Sequence, residues 1–241
     1  MKILFLRVLF QYRVAILAAK QQVCFKRLIC TLMVEDCSFF IIHCSLFLMT
    51  EKEILTLLKP ETETERYLLS FPEILKGLDW GEPRFGHPEG KVVYHVVEVF
   101  NNLDNVSPKL SSKDRQTLRI VALLHDTFKI REDKSNPRDW TRHHSVLAAN
   151  FAQKMIADTC ITDIIHQHDE AYYCWKMFAL QQKHEAGLHR LHWLIKKIDY
   201  CLQLYYIFFI CDTATGDKNQ TPARWFEENV SGLEQINLNE Q

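Results

Sequence analysis

The chain has 241 residues with nearly balanced charge, 29 Lys and Arg against 30 Asp and Glu. That length allows one large domain with an ample core, alone or with an extension, and the absence of a basic excess argues against a nucleic-acid duplex as partner. Seven glycines and seven prolines are few for this length and point to a compact helical globule.

Residues 1–48 differ in composition from the rest of the chain. They hold four of the eight cysteines (24, 30, 37 and 44) and no glycine, proline, asparagine or tryptophan. The apolar run Ile3 to Leu6 imitates a signal peptide, but Arg7, Gln11, Tyr12 and Arg13 interrupt it and no cleavage site follows. A membrane span needs about 18 uninterrupted apolar residues, so no membrane partner is expected. Residues 1–48 read as an apolar, Cys-rich extension: an amphipathic helix, a membrane-surface helix, or translated sequence upstream of a natural start at Met49, the last being favoured. Thr50 followed by Glu53 has the form of a capping box and opens the helical part, 49–241.

From Met49 onward, period-3.6 patterns dominate and alternating patterns are rare. Helices are expected at 50–59, 61–79 (broken or kinked at Pro72), 90–104, 112–127, 142–158, 160–180, 186–212 and 222–229. Loops fall at 81–90, 107–112 and 131–141. Cys160, Cys174, Cys201 and Cys211 lie in helical apolar patterns and no C-x-x-C occurs. Free thiols in a reducing, cytoplasmic compartment follow. The fold class is all-α, a bundle with a site between facing helices.

The chemistry concentrates in Val121-Ala122-Leu123-Leu124-His125-Asp126, with Lys129 a turn further on. A buried ionised Asp is costly unless compensated, and a divalent cation compensates it while supplying a Lewis acid. His95 shares an apolar helical face with Val92 at i−3 and Val99 at i+4. Taken alone it reads as a core histidine. Asp212 ends the run Ile207-Phe208-Phe209-Ile210-Cys211, much as Asp126 ends its own, and Asp199 competes with it. His184, His189 and His192 read as a solvated face.

This order, His95, then His125-Asp126, then a late Asp212, resembles the HD-domain metal-dependent phosphohydrolase superfamily. The resemblance runs from Lys91 to Lys218 and is most specific between Leu118 and Lys129. It implies His95, His125, Asp126 and Asp212 as metal ligands in an HD-type bundle. Arg142-His143-His144-Ser145 and Ile165-His166-Gln167-His168 match the further histidines of two-metal members, with His144 and His168 preferred to His143 and His166. The implied cofactor is one or two divalent ions, Mn, Fe, Co, Ni or Zn suiting nitrogen ligands better than Mg. The implied activity is hydrolysis of a nucleotide or other small phosphate ester by metal-activated water. Asp126, Lys129, His144 and His168 would form the catalytic group. Thr127 and Phe128 depart from the family's small residues before the lysine and bear on the reach of Lys129.

Lys129, Arg131, Lys134, Arg138 and Arg142 could bind phosphate oxygens, although Glu132, Asp133 and Asp139 dilute the run into a solvated loop. Trp140 would stack on a base or anchor packing. Two alternatives keep the same ligands: an HD-fold di-iron oxygenase, and a non-catalytic nucleotide or metal sensor. The completeness of the ligand set weighs against the sensor.

Overall fold

A computed structural model of the chain describes residues 48–238. The readings of residues 1–47, including those of the four early cysteines, lie outside the described residues. The helical part forms the compact unit Met49–Gln241. The fold is all-α: eleven α-helices and short 3-10 segments, with no β-strand among the described residues. Among them, too, no helix is long and apolar enough to cross a membrane.

Helix α1 (Glu51–Leu58) starts with the expected capping box: the Thr50 N–H donates to Glu53 Oε2 (2.7 Å) and the Glu53 N–H to Thr50 Oγ1 (3.3 Å). Pro72 divides the segment 61–79 into α2 (Glu63–Leu69) and α3 (Pro72–Leu78), with proline at the first helical position, where no N–H is needed. Helices α4 (Val92–Val106) and α5 (Ser112–Leu124) pack against each other. The expected helix 112–127 ends early: His125 is the cap of α5, and the chain tightens into a 3-10 segment, Thr127–Arg131.

Helices α6 (His144–Met155) and α7 (Thr159–Gln167) form a tightly packed pair. The expected helix 160–180 is three pieces, because His168 and Asp169 form a turn before α8 (Glu170–Trp175) and a π-helical stretch, Lys176–Leu180. The expected helix 186–212 is likewise interrupted by the 3-10 turn Asp199–Cys201, giving α9 (His184–Ile198) and α10 (Leu202–Thr213). Helix α11 (Thr221–Asn229) follows the turn at Gly216, whose φ of 58° is left-handed.

Helix α10 is buried on all sides from Tyr205 to Cys211, as expected of a central core helix, and it packs on α4, α5 and α11. Two of its contacts shape the site. The Tyr205 hydroxyl donates to the Gln167 carbonyl (2.9 Å) and accepts from the Ala171 N–H (3.1 Å). It therefore pins the turn that carries His168 and Asp169 by satisfying backbone groups that the interrupted helix leaves open. The Asn102 side-chain amide donates to the carbonyls of Cys211 (2.8 Å) and Ala214 (3.2 Å) and fixes the end of α10 beside Asp212. Away from the site, buried Arg119 is held by Glu65 in two hydrogen bonds (3.1 and 2.8 Å) and lies over the Phe100 ring. Cys174, Cys201 and Cys211 are buried free thiols, and Cys160 is a half-buried one.

Candidate metal centre

Asp126 sits between two pairs of histidines. On one side are His95 of α4 and His125 at the end of α5, with their Nε2 atoms 3.2 Å apart. Their Nε2 atoms are 3.6 and 3.5 Å from Asp126 Oδ2, and 3.0 and 3.8 Å from Asp212 Oδ1. On the other side are His144, the first residue of α6, and His168, again with Nε2 atoms 3.2 Å apart. These lie 3.4 and 3.6 Å from Asp126 Oδ1. All four rings and Asp126 are buried. Among the described residues four sets gather ligand atoms closely enough to hold one ion: His95–His125–Asp212 and Asp126–His144–His168 around Asp126, and His87–Glu89–His95 and Glu132–His143–His144 behind the rings of His95 and His144.

Local chain geometry explains the convergence. Successive residues on a helix diverge by about 100°, but α5 has stopped before Asp126, so His125 and Asp126 both face the same space. The tautomer of His125 is fixed as well. Its Nδ1 faces the Ala122 carbonyl (2.9 Å), an acceptor only, so Nδ1 carries the hydrogen and Nε2 presents its lone pair inward. His168 repeats the arrangement with the Ile165 carbonyl (2.8 Å).

The donor set fits divalent metal. Inward nitrogens at each pair crowd against one another and against carboxylates, and the buried Asp126 Oδ1 has no aligned hydrogen bond, an arrangement that is costly without a cation among the groups. Electrostatics agree. Burial holds the His125 ring down to about 3 against the pull of Asp126 and Asp212, so the ring is neutral, the state a ligand needs. At His168 burial is outweighed by the Asp169 and Asp126 carboxylates, which raise its pKa to about 9, and His144 is raised against burial by Asp126 and Glu132. A cation between the rings would offset the same carboxylates. Burial also opposes the charge on Asp126 and Asp212, but Lys129 and His125 hold the first, and Lys218 and His95 the second, well below the usual carboxylate range.

The structure thus brings together His95, His125, Asp126, Lys129, His144, His168 and Asp212. The Lys129 ammonium is paired with Asp126 Oδ2, so Thr127 and Phe128 do not deflect it. Thr127 instead ties back to the Leu123 carbonyl at 2.7 Å. Asp199 is exposed, away from the cluster. His143 is buried, but it caps α6 through Ser145, and His166 is exposed.

Other expectations are corrected. Arg131 pairs with Glu73, Arg138 with Glu132, and Lys134 lies over the Trp80 ring, so these cations are engaged elsewhere and none lines the cavity at the cluster. That cavity, of about 460 Å³, carries Lys129 and Lys218, and Lys218 Nζ lies 3.0 Å from Asp212 Oδ1. Trp140 is not a packing anchor: it is 62 % exposed, stacks beside His143, and borders a second cavity of about 550 Å³ that also reaches Asp169. Asp169 itself was missed, although Oδ2 lies 3.4 and 3.5 Å from the His144 and His168 Nε2 atoms. Its signal was the second His-Asp pair of the chain, close after Ile164-Ile165. Glu132, read as part of a solvated loop, instead faces His143 and His144 at 3.4 and 3.3 Å.

Residues 92–202 match the family model described as HD domain. The chain carries an HD domain, in agreement with the HD-domain metal-dependent phosphohydrolase superfamily. Searches of curated proteins and of solved structures gave no match.

Proposed function

We propose that this protein is a metal-dependent phosphohydrolase that cleaves a nucleotide or another small phosphate ester. The observation that carries the reading is the Asp126 carboxylate, which turns one oxygen to His95 and His125 and the other to His144 and His168. A single carboxylate so placed serves two positions at once. His95, His125 and Asp212 would complete one position, and His144 and His168, with Asp169 beside them, the other. Divalent ions held there would supply Lewis acidity and lower the pKa of water.

The protein's own groups account for substrate handling. Lys129 and Lys218 line the cavity, where their ammonium groups can donate to the non-reacting oxygens of a phosphate and offset charge as it develops. The walls include Tyr172, Trp175 and Phe209, apolar surface that suits the non-phosphate part of a small ester.

The test is Asp126→Ala beside the wild type, with bound metal and phosphate release both measured on a nucleotide panel with added Mn(II). Loss of bound metal together with loss of turnover by at least about a thousandfold is expected, since both positions share this carboxylate. Retained activity would remove Asp126 from the reaction centre. Wild type that binds Mn(II) and nucleotide without releasing phosphate would overturn the hydrolase reading.

A further inference from the structure

The four inward histidines are not held alike. In each pair one ring is fixed by a backbone carbonyl three residues earlier: His125 by Ala122 and His168 by Ile165. The outer nitrogen of the other ring faces a shielded glutamate. His144 Nδ1 lies 3.3 Å from Glu132 Oε1, and His95 Nδ1 lies 3.6 Å from Glu89 Oε1. The glutamate side chains are 10 % and 4 % exposed, so both carboxylates are largely removed from water. Neither faces Asp126 or Asp212. Each stands behind its histidine, on the side away from the paired Nε2 atoms.

We propose that Glu132 and Glu89 are positioning residues that set the metal affinity of the two positions separately, Glu132 through His144 and Glu89 through His95. The inference rests on the metal-binding part of the proposed function. A backbone carbonyl fixes the tautomer and direction of a ring. A carboxylate does the same and also raises the basicity of the inward nitrogen, because it stabilises the positive charge the ring acquires on coordination. Each position thus combines one neutral anchor with one charge-assisted donor.

The surroundings support this division. Glu132 is steadied by Arg138 (3.4 Å) and faces the His143 ring (3.4 Å). Glu89 Oε1 is held by His87 Nδ1 at 3.0 Å, while Glu89 Oε2 and His95 Nδ1 are buried without aligned partners. Those unmatched polar atoms side by side are costly, and a small rotation of the His95 ring toward Glu89 would relieve His95 Nδ1.

The experiment is equilibrium binding of Mn(II), followed by dialysis and by electron paramagnetic resonance, on full-length wild type, Glu132→Gln and Glu89→Gln. Glutamine keeps the shape and removes the charge. Each substitution is also placed in an Asp212→Asn background, which weakens the His95–His125 position and leaves the other as the stronger. Wild type should bind two ions. Glu132→Gln should weaken one ion about 10- to 100-fold and reduce affinity again in the Asp212→Asn background. Glu89→Gln should weaken one ion in the otherwise wild-type protein but leave the remaining ion of the Asp212→Asn protein unchanged. Melting temperatures of the metal-free variants should match those of their parents.

Unchanged two-ion binding in both single variants would overturn the inference while leaving the metal-dependent reading intact. Equal weakening of both ions with a lowered metal-free melting temperature would assign the glutamates a merely structural role. More than two wild-type ions, with the excess lost on substitution, would make the glutamates ligands themselves. Wild type that binds no ion would overturn the inference and the proposed function together.

Discussion

Two lysines guard the cluster, and their placement makes them separable from the basic loop. Lys218 Nζ donates to both the side chain and the carbonyl of Asp212, each at 3.0 Å, and it lies in the cavity wall. Arg142 is exposed and lies outside that wall. A lost hydrogen bond to a charged group is worth about 1.5–3 kcal/mol, so Lys218→Ala is expected to lower kcat/KM for phosphate release about 10- to 100-fold. Arg142→Ala should stay within about twofold, as a surface change does. Equal losses in the two variants would return substrate binding to the loop. Sequence reasoning singled out Lys129 because it follows the His-Asp pair by three residues. It passed over Lys218 because five residues separate it from Asp212, in a turn where Gly216 takes a left-handed φ and its N–H donates to Glu98. Asp169 was legible in principle, since His168-Asp169 is a second His-Asp pair like His125-Asp126. Glu132 was not, because its neighbours Asp133 and Lys134 make the stretch look solvated, and only the return of the chain to His143 and His144 buries it.

At the level of elements, the site depends on helices that stop. Leu124 ends α5 and Gln167 ends α7, and each end releases a His-Asp pair from helical geometry. Periodicity continues through both pairs, so pattern reading extends the helices past their true ends. It cannot register a stop imposed by tertiary contacts such as the Tyr205 hydroxyl beneath the second turn. Pro72 acts within its own segment and its effect was legible. The first stop is also held from outside. Gly77 of α3 packs so closely on the 3-10 segment after Asp126 that an added Cβ would overlap the Thr127 carbonyl oxygen and lie 2.7 Å from Thr127 Cγ2. Gly77→Ala would raise helix propensity in α3, yet the overlap is with backbone, which cannot rotate away. Overpacking of this kind costs about 1–3 kcal/mol. The expected result is a lower urea midpoint and weaker Mn(II) binding, because the displaced segment begins one residue after Asp126. A variant as stable as wild type, as helix propensity alone would give, would show that α3 does not brace the turn.

Across the whole Met49–Gln241 unit, the clustered residues come from α4, the end of α5, the start of α6, the turn after α7 and the end of α10. The family match stops at residue 202, ten residues before Asp212, yet the buried α10 returns Asp212 to within 3.0 Å of His95. The bundle class and the clustering of these residues follow from patterns that survive in sequence, an apolar stripe and a ligand beside it. The glutamates behind the rings and the cavity walls arise from chain reversals that no local pattern encodes. Cations held between these segments also have a thermodynamic consequence. The unfolded chain has no preformed site, so metal binding adds to folding free energy. At 100 times the dissociation constant one bound ion adds about 2.7 kcal/mol. For a domain of this size each kcal/mol raises the melting temperature by about 2–4 °C, so Mn(II) at that excess should raise it by about 5–11 °C over chelator-treated protein. Asp126→Ala should abolish the rise, since it removes the carboxylate between the two histidine pairs. A rise of the same size in that variant would place the stabilising ion somewhere other than between these helices.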